Sequence, residues 1–211
     1  MNIPFFLSIF IIFIIFYNIK IRKAEKEIKN SRETFLKKER EAMFVRKKTL
    51  ENLDYISISL HDLPMLKKEE LTSNKLKQAY EQQQLAITLS SKPLLNLNGI
   101  SNTDLKYKYG SANLEILINY EQNYQRLIRA LLNWGQYLYE AGKVKEAVQI
   151  LEKSISIGSD LSQNYILLAD IYNKNSQKSK LLKLKELAEK NQKRNVILKK
   201  VINHIDNILN S

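Results

Sequence analysis

The 211-residue chain carries 34 Lys/Arg against 22 Asp/Glu, a net charge of +12, and only 5 Gly, 3 Pro and no Cys. The missing thiol excludes a disulfide scaffold, a thiolate zinc site and a cysteine nucleophile, and the scarcity of Gly and Pro argues against an all-β fold rich in tight turns. Leu, Ile, Lys, Glu, Asn and Gln dominate, so the expected fold is all-α.

The charge is concentrated. Residues 20–50 hold twelve Lys/Arg and five Glu, and residues 178–200 hold nine Lys/Arg and two Glu. Each zone is net +7, which leaves −2 for the remainder. Such zones suit anionic lipid, nucleic acid or an acidic partner.

Residues 3–19, IPFFLSIFIIFIIFYNI, are uncharged and contain five of the seven Phe. The run sits at the short end of the roughly 17–25 residues of a spanning helix. Tyr17 and the Lys20 stem suit an interface. No small-residue cleavage site follows, and the run has no polar face, so an uncleaved transmembrane anchor over 1–19 is preferred to a signal peptide or a core helix. Lys20, Arg22, Lys23, Lys26 and Lys29 follow it. The positive-inside bias then puts the C-terminal part in the cytoplasm of a single-pass membrane protein. The reverse topology would make it extracytoplasmic, a factor assisting envelope protein assembly.

Residues 20–54 read as a basic helical stalk. Ile21, Ile28, Phe35 and Ala42 recur every seven residues, but Ser31 and Lys38 occupy the interleaved positions. The seam is therefore only a weak candidate for a coiled coil, which would make a weak homo-oligomer; the other reading is a solvated helical stalk with i,i+4 charge pairs. Residues 55–71 then change period. Ile56, Ile58 and Leu60 alternate with Ser57 and Ser59, a strand-like pattern with no second strand to pair with. The preferred reading is an extended connector that lays these residues on the helical domain, the alternative a docking strand for another protein. His61-Asp62 beside Pro64 reads as loop chemistry.

A helix is expected over 72–90, with Leu76, Ala79, Tyr80, Leu85, Ala86 and Leu89 on one face. Pro93, Gly99 and polar residues break the pattern over 91–110. A long helix then runs over 111–141 with Ser111 as its N-cap. A last amphipathic helix, over 195–210, carries Val196, Leu198, Val201, Ile202, Ile205 and Leu209, with His204 on its polar side.

A shift of 34 residues aligns Leu131, Trp134, Gly135 and Leu138 with Tyr165, Leu168, Ala169 and Tyr172, and Ser154 with Ala188. Over about 128–161 and 162–195 the chain resembles the tetratricopeptide repeat family, whose period is about 34. In the second unit Leu181 stands where Ala147 stood and Lys185 where Leu151 stood, so its second helix is expected to be shifted or irregularly packed. The resemblance implies an all-α domain over 72–211: stacked helical hairpins, small residues where helices approach closely, Gly142 ending a helix, and 195–210 as C-terminal cap. Repeats of this family bind peptide segments on the face lined by their first helices. The resemblance would place Arg129, Leu132, Gln136, Tyr139, Gln163, Ile166, Asp170 and Asn173 on that face. The Lys/Asn/Arg set that cochaperone repeats use for C-terminal carboxylates is missing, so that ligand is not implied.

No phosphate-cradling glycine loop, metal-binding His pair or nucleophile elbow occurs. The expectation is a membrane-anchored adaptor or scaffold for a protein partner, without cofactor or metal and not an enzyme. A second reading is polyanion contact through Lys20, Arg22, Lys23, Lys178, Lys180, Lys183 and Lys185, extended by Lys193 and Arg194. Few aromatics are interleaved there, which favours lipid over nucleic acid.

Overall fold

The computed structural model describes residues 3–192 and 197–210; the side chains at 3–6, 8 and 192 lie outside the description. Among the described residues the structure is helical and without strands. It divides into two compact units, 1–50 with 100–114, and 51–99 with 115–211.

In the first unit, α1 (Ile3–Met43) is one unbroken helix of 41 residues. It ends at Met43, not near Asp54. Residues 44–50 leave the helix and run beside α3 (Asn102–Tyr109). Lys48 N–H donates to the Tyr109 carbonyl at 3.1 Å, and the Asn113 amide donates to the Lys48 carbonyl at 2.7 Å. Gly110 makes this passage fit. Its φ is +91°, and a Cβ there would lie 2.6 Å from the Arg46 carbonyl oxygen. The stretch 91–110, read as a break, therefore contains a helix. Ser101 caps α3 by accepting from Asp104 N–H at 3.1 Å, a Ser-x-x-Asp signal of the N-cap type. Ser111 does not cap the long helix; it opens a 3-10 turn, Ser111–Asn113, ahead of α4.

The C-terminal end of α1 packs on α3. Ala42 is fully buried there, Lys38 pairs with Asp104 at 2.5 Å, and Glu39 takes hydrogen bonds from Lys106 and Thr103. These bonds hold the Glu39 carboxyl below its usual range, the Lys106 bond most of all. Farther up α1 the seven-residue stripe is bare, with Ile28 69% and Phe35 55% exposed. Leu7 and every residue from Ile9 to Tyr17 are exposed on all sides of the helix. Among the described residues no helix is long and apolar enough to cross a membrane. The anchor expectation also rests on residues 1 and 2 and on the side chains at 3–6 and 8, which lie outside the description.

In the second unit, the connector expected over 55–71 is extended over 55–60 and 64–67 without forming a strand, turns at 61–63 and closes with a 3-10 turn, Lys68–Glu70. Ile56 and Ile58 pack on the core, and Leu60, Leu63 and Leu66 are buried in it. Ile56 N–H donates to the Leu94 carbonyl at 2.9 Å. Ten residues on, Gln83 pairs with both backbone groups of Leu66 as a neighbouring strand would. Its side chain, 3% exposed on α2 (Asn74–Ser90), accepts from Leu66 N–H at 2.7 Å and donates to Leu66 O at 3.1 Å. A buried amide so satisfied costs little.

Four helices come next: α4 (Leu114–Glu140), α5 (Val144–Ser156), α6 (Ser162–Lys174) and α7 (Lys178–Gln192). The ends of α4 and α6, and the starts of α5 and α7, each differ by 34 residues. The turn at the end of each first helix repeats as well. Gly142 N–H bonds to Tyr139 O at 3.0 Å and Lys143 N–H to Leu138 O at 2.9 Å; Ser176 N–H bonds to Asn173 O at 2.9 Å and Gln177 N–H to Tyr172 O at 2.8 Å. Both are Schellman caps, with Gly142 at φ +83° and Ser176 at φ +53°.

Gly135 is buried against α5, where an added Cβ would fall 2.7 Å from Leu151 Cγ. Trp134 is fully buried in a core shared with α2 and α5. Burying a side chain of this size contributes on the order of 2–3 kcal/mol, more than the roughly 1 kcal/mol that a helical glycine costs. α7 is neither shifted nor irregular: Leu181, Leu184 and Ala188 are buried beside Tyr165, Leu168 and Ala169. Lys185 leaves the core and pairs with Asp206 at 2.6 Å on α8 (Leu198–Asn210). α8 packs on α6 and α7 through Leu198, Val201 and Ile205.

Candidate functional site

Of the residues expected on the first-helix face, Arg129, Gln136, Gln163 and Asn173 are exposed, and Tyr139, Ile166 and Asp170 are half-buried. Leu132 is not available to a partner: it is 5% exposed and belongs to the core around Tyr165 and Leu168. The 34-residue offset puts Gln136 and Asp170 at equivalent positions of α4 and α6. The same offset from Asp170 reaches His204 on α8. His204 is not a free surface residue, because its Nε2 lies 2.7 Å from Asp170 Oδ1. The signal for this pair lies in the spacing, which the reading of the last helix as a cap alone leaves unused.

The structure adds cations to this face. Lys174 donates to the Tyr139 hydroxyl at 2.8 Å and sits 5.5 Å from its ring centre. Its pKa is raised, first by that hydrogen bond. Glu140 accepts from Gln136 at 2.9 Å and pairs with Lys75 at 2.5 Å. The Lys75 bond is the main cause that holds the Glu140 carboxyl below its usual range. The face is thus a mixed polar surface with a tyrosine at its centre.

The basic residues divide by use. Lys20 folds back over the Phe16 ring at 5.3 Å, while Arg22 and Lys23 are exposed. Lys180 is engaged with Glu152 at 3.1 Å and lies 5.4 Å from the Tyr172 ring centre, and Lys185 is held by Asp206 and Glu189. Lys178 and Lys183 are exposed. Lys193 and Arg194 lie outside the described residues.

A groove of about 560 Å³ opens beside α7, lined in part by Ile155, Leu168, Leu184 and Leu187 and by Lys183 and Lys190. Sequence reading misses it, because it combines residues from three helices. Burial and the Glu152 carboxylate raise the Tyr172 hydroxyl well above its ordinary pKa, and that hydroxyl donates to Glu152 at 2.5 Å. Among the described residues no cluster of His, Cys, Asp or Glu has the makings of a metal site.

Comparison with known protein families, with curated proteins and with solved structures finds no match.

Proposed function

We propose that the chain is a membrane-anchored adaptor whose tetratricopeptide-like hairpins dock a protein partner at the cytoplasmic face. The observation that carries this reading is the 34-residue recurrence in helix ends, Schellman caps and the Gly135/Ala169 position, with Gly135 packed under Leu151. Hairpins stacked at this period leave one face of their first helices uncovered, and the half-buried Tyr139 offers an amphipathic contact of the kind enriched at interfaces.

The anchor reading is supported by physics rather than by any span. Residues 9–17 are all large and apolar, and each is 40–65% exposed, all around α1. Soluble chains rarely leave so large an apolar surface in water. Lys20, Arg22, Lys23, Lys26 and Lys29 stand beyond it and favour the cytoplasm for the C-terminal part of the chain.

The test is capture of the intact protein from solubilised membranes at low and at moderate salt, as wild type and as the Arg129→Ala/Tyr139→Ala double variant. The adaptor reading expects a discrete co-purifying chain that persists in moderate salt and is lost with the variant. Association that disappears in moderate salt and survives the variant overturns it in favour of polyanion contact, which weakens steeply with ionic strength.

A further inference from the structure

The groove beside α7 joins an apolar floor to several cationic side chains, and the first-helix face does not use it. Residues 180, 183, 184, 187, 190 and 191 of α7 line it, at the spacing that brings side chains onto one helix face. Leu187 lies between Lys183 and Lys190 along α7 and is 44% exposed, so its side chain is open to an occupant of the groove. The one carboxylate in the lining, Glu152, is already occupied by Lys180 and the Tyr172 hydroxyl. The charges of Lys183 and Lys190 are therefore in surplus over an apolar floor.

We infer that this groove binds an extended acidic segment of the protein partner, seating one bulky apolar side chain over Leu187 between two carboxylates that meet Lys183 and Lys190. Seven helical residues separate these lysines, a rise of about 10.5 Å with both on nearly the same side. An extended chain rises about 3.3 Å per residue and points alternate side chains the same way. Residues i, i+2 and i+4 of a bound segment then face the groove together and span about 13 Å, a difference from the lysine spacing that two flexible lysine arms absorb. The pattern acidic-x-apolar-x-acidic fits, with the apolar side chain filling a desolvated pocket as interface anchors do. A fatty acid, with a single carboxylate, would use one of the two charges and leave the other without a counterion. The protein nature of the occupant rests on the adaptor reading; the site does not depend on the first-helix face.

The test uses the full chain in phosphatidylcholine nanodiscs. A labelled peptide with the core Glu-Ser-Leu-Ser-Glu is titrated by fluorescence anisotropy, beside versions with both Glu changed to Gln or with Leu changed to Ala. The expected result is saturable binding that falls about tenfold for the Gln peptide and for Lys183→Ala/Lys190→Ala, and about fivefold for the Ala peptide and for Leu187→Ala, a range usual for interface anchors. Tyr139→Ala should leave it unchanged. All the substituted side chains are exposed or half-buried, and circular dichroism checks that each variant stays folded. Equal affinity for the Glu and Gln peptides, no saturable binding, or saturable binding of laurate in place of the peptide overturns the inference. Peptide binding weakened only by Tyr139→Ala would also overturn it while leaving the adaptor reading intact. Failure of the membrane capture would sink the adaptor reading without altering the titration.

Discussion

The hairpins α4–α5 and α6–α7 share helix ends, caps and register at a 34-residue offset, yet they fill equivalent positions with different chemistry. The first sets Gly135 under Leu151; the second sets Ala169 and Lys185 at those places. Gly142 ends the first α-helix and Ser176 the second. Ala130 is buried in the first, and Asn164 is equally buried in the second. The difference teaches that backbone path is held by where helices must stop and approach, while the side chains that achieve it are exchanged in compensating sets. The first hairpin uses the simplest solution. The second carries exceptions, each of which has a partner or an expected stability cost.

The largest expected effect concerns Trp134, the bulkiest fully buried side chain of the first hairpin, whose indole N–H lacks a hydrogen-bond partner among the described residues. Trp134→Ala should lower stability by about 3–5 kcal/mol. Trp134→Phe should cost clearly less, because it keeps an aromatic filler and removes a buried donor. Denaturant midpoints of the full chain measure both, and equal losses would mean that the N–H is satisfied. Asn164 is the second hairpin's counterpart. Both polar atoms of its side chain are buried without partners among the described residues, so Asn164→Ala, which copies Ala130, should raise stability by about 1–3 kcal/mol. A loss of stability on this substitution would show that the amide has a partner after all.

The caps give a smaller, opposed pair. Gly142→Ala forces a Cβ into the left-handed region and should cost about 1–2 kcal/mol. Ser176→Gly should stabilise by up to about 1 kcal/mol, since Ser176 already bears that strain at φ +53°. Thermal midpoints moving in the same direction for both would break the equivalence of the two caps.

The pH dependence comes from groups in both hairpins. Burial raises the Tyr124, Tyr165 and Tyr172 hydroxyls, and the Asp206 bond raises Lys185. Their folded pKa values lie above the unfolded ones, so their contribution is whole below about pH 10 and is lost as pH rises beyond it. Glu140 is depressed by Lys75, and in the first unit Asp104 is depressed by Lys38. Their contribution is whole above about pH 4 and is lost as pH falls below it. A thermal midpoint that is flat between about pH 5 and 9 and falls on both sides, more on the alkaline side, is the expected profile. A midpoint that rises above pH 10 would contradict it.

Much of this arrangement is legible because it has a period. The shift that aligns Trp134-Gly135 with Leu168-Ala169 needs no knowledge of distant contacts, and the alternation of Ile56, Ile58 and Leu60 marks a segment with one buried side. The illegible parts depend on residues far apart in the chain. Nothing within 44–50 stops a helix. α1 nevertheless ends at Met43, and Gly110, lacking a Cβ, leaves the room through which Arg46 then passes. α3 is only eight residues long, too short for periodicity to declare it, and its Ser101–Asp104 cap is the one local sign. Leu132 reads as a surface leucine until α6 covers it, and Lys185 as a solvated charge until α8 brings Asp206. The groove beside α7 is invisible for the same reason.

The close approach of Gly135 to Leu151 is the contact on which the paired-hairpin account depends, and a double-mutant cycle measures it most directly. Gly135→Ala should destabilise the full chain, since the new methyl meets Leu151 and overpacking of this kind costs about 1–3 kcal/mol. In a Leu151→Ala background the obstacle is gone, and the same substitution should stabilise by up to about 1 kcal/mol through helix propensity. An effect of Gly135→Ala that is the same in both backgrounds within about 0.5 kcal/mol would contradict the account.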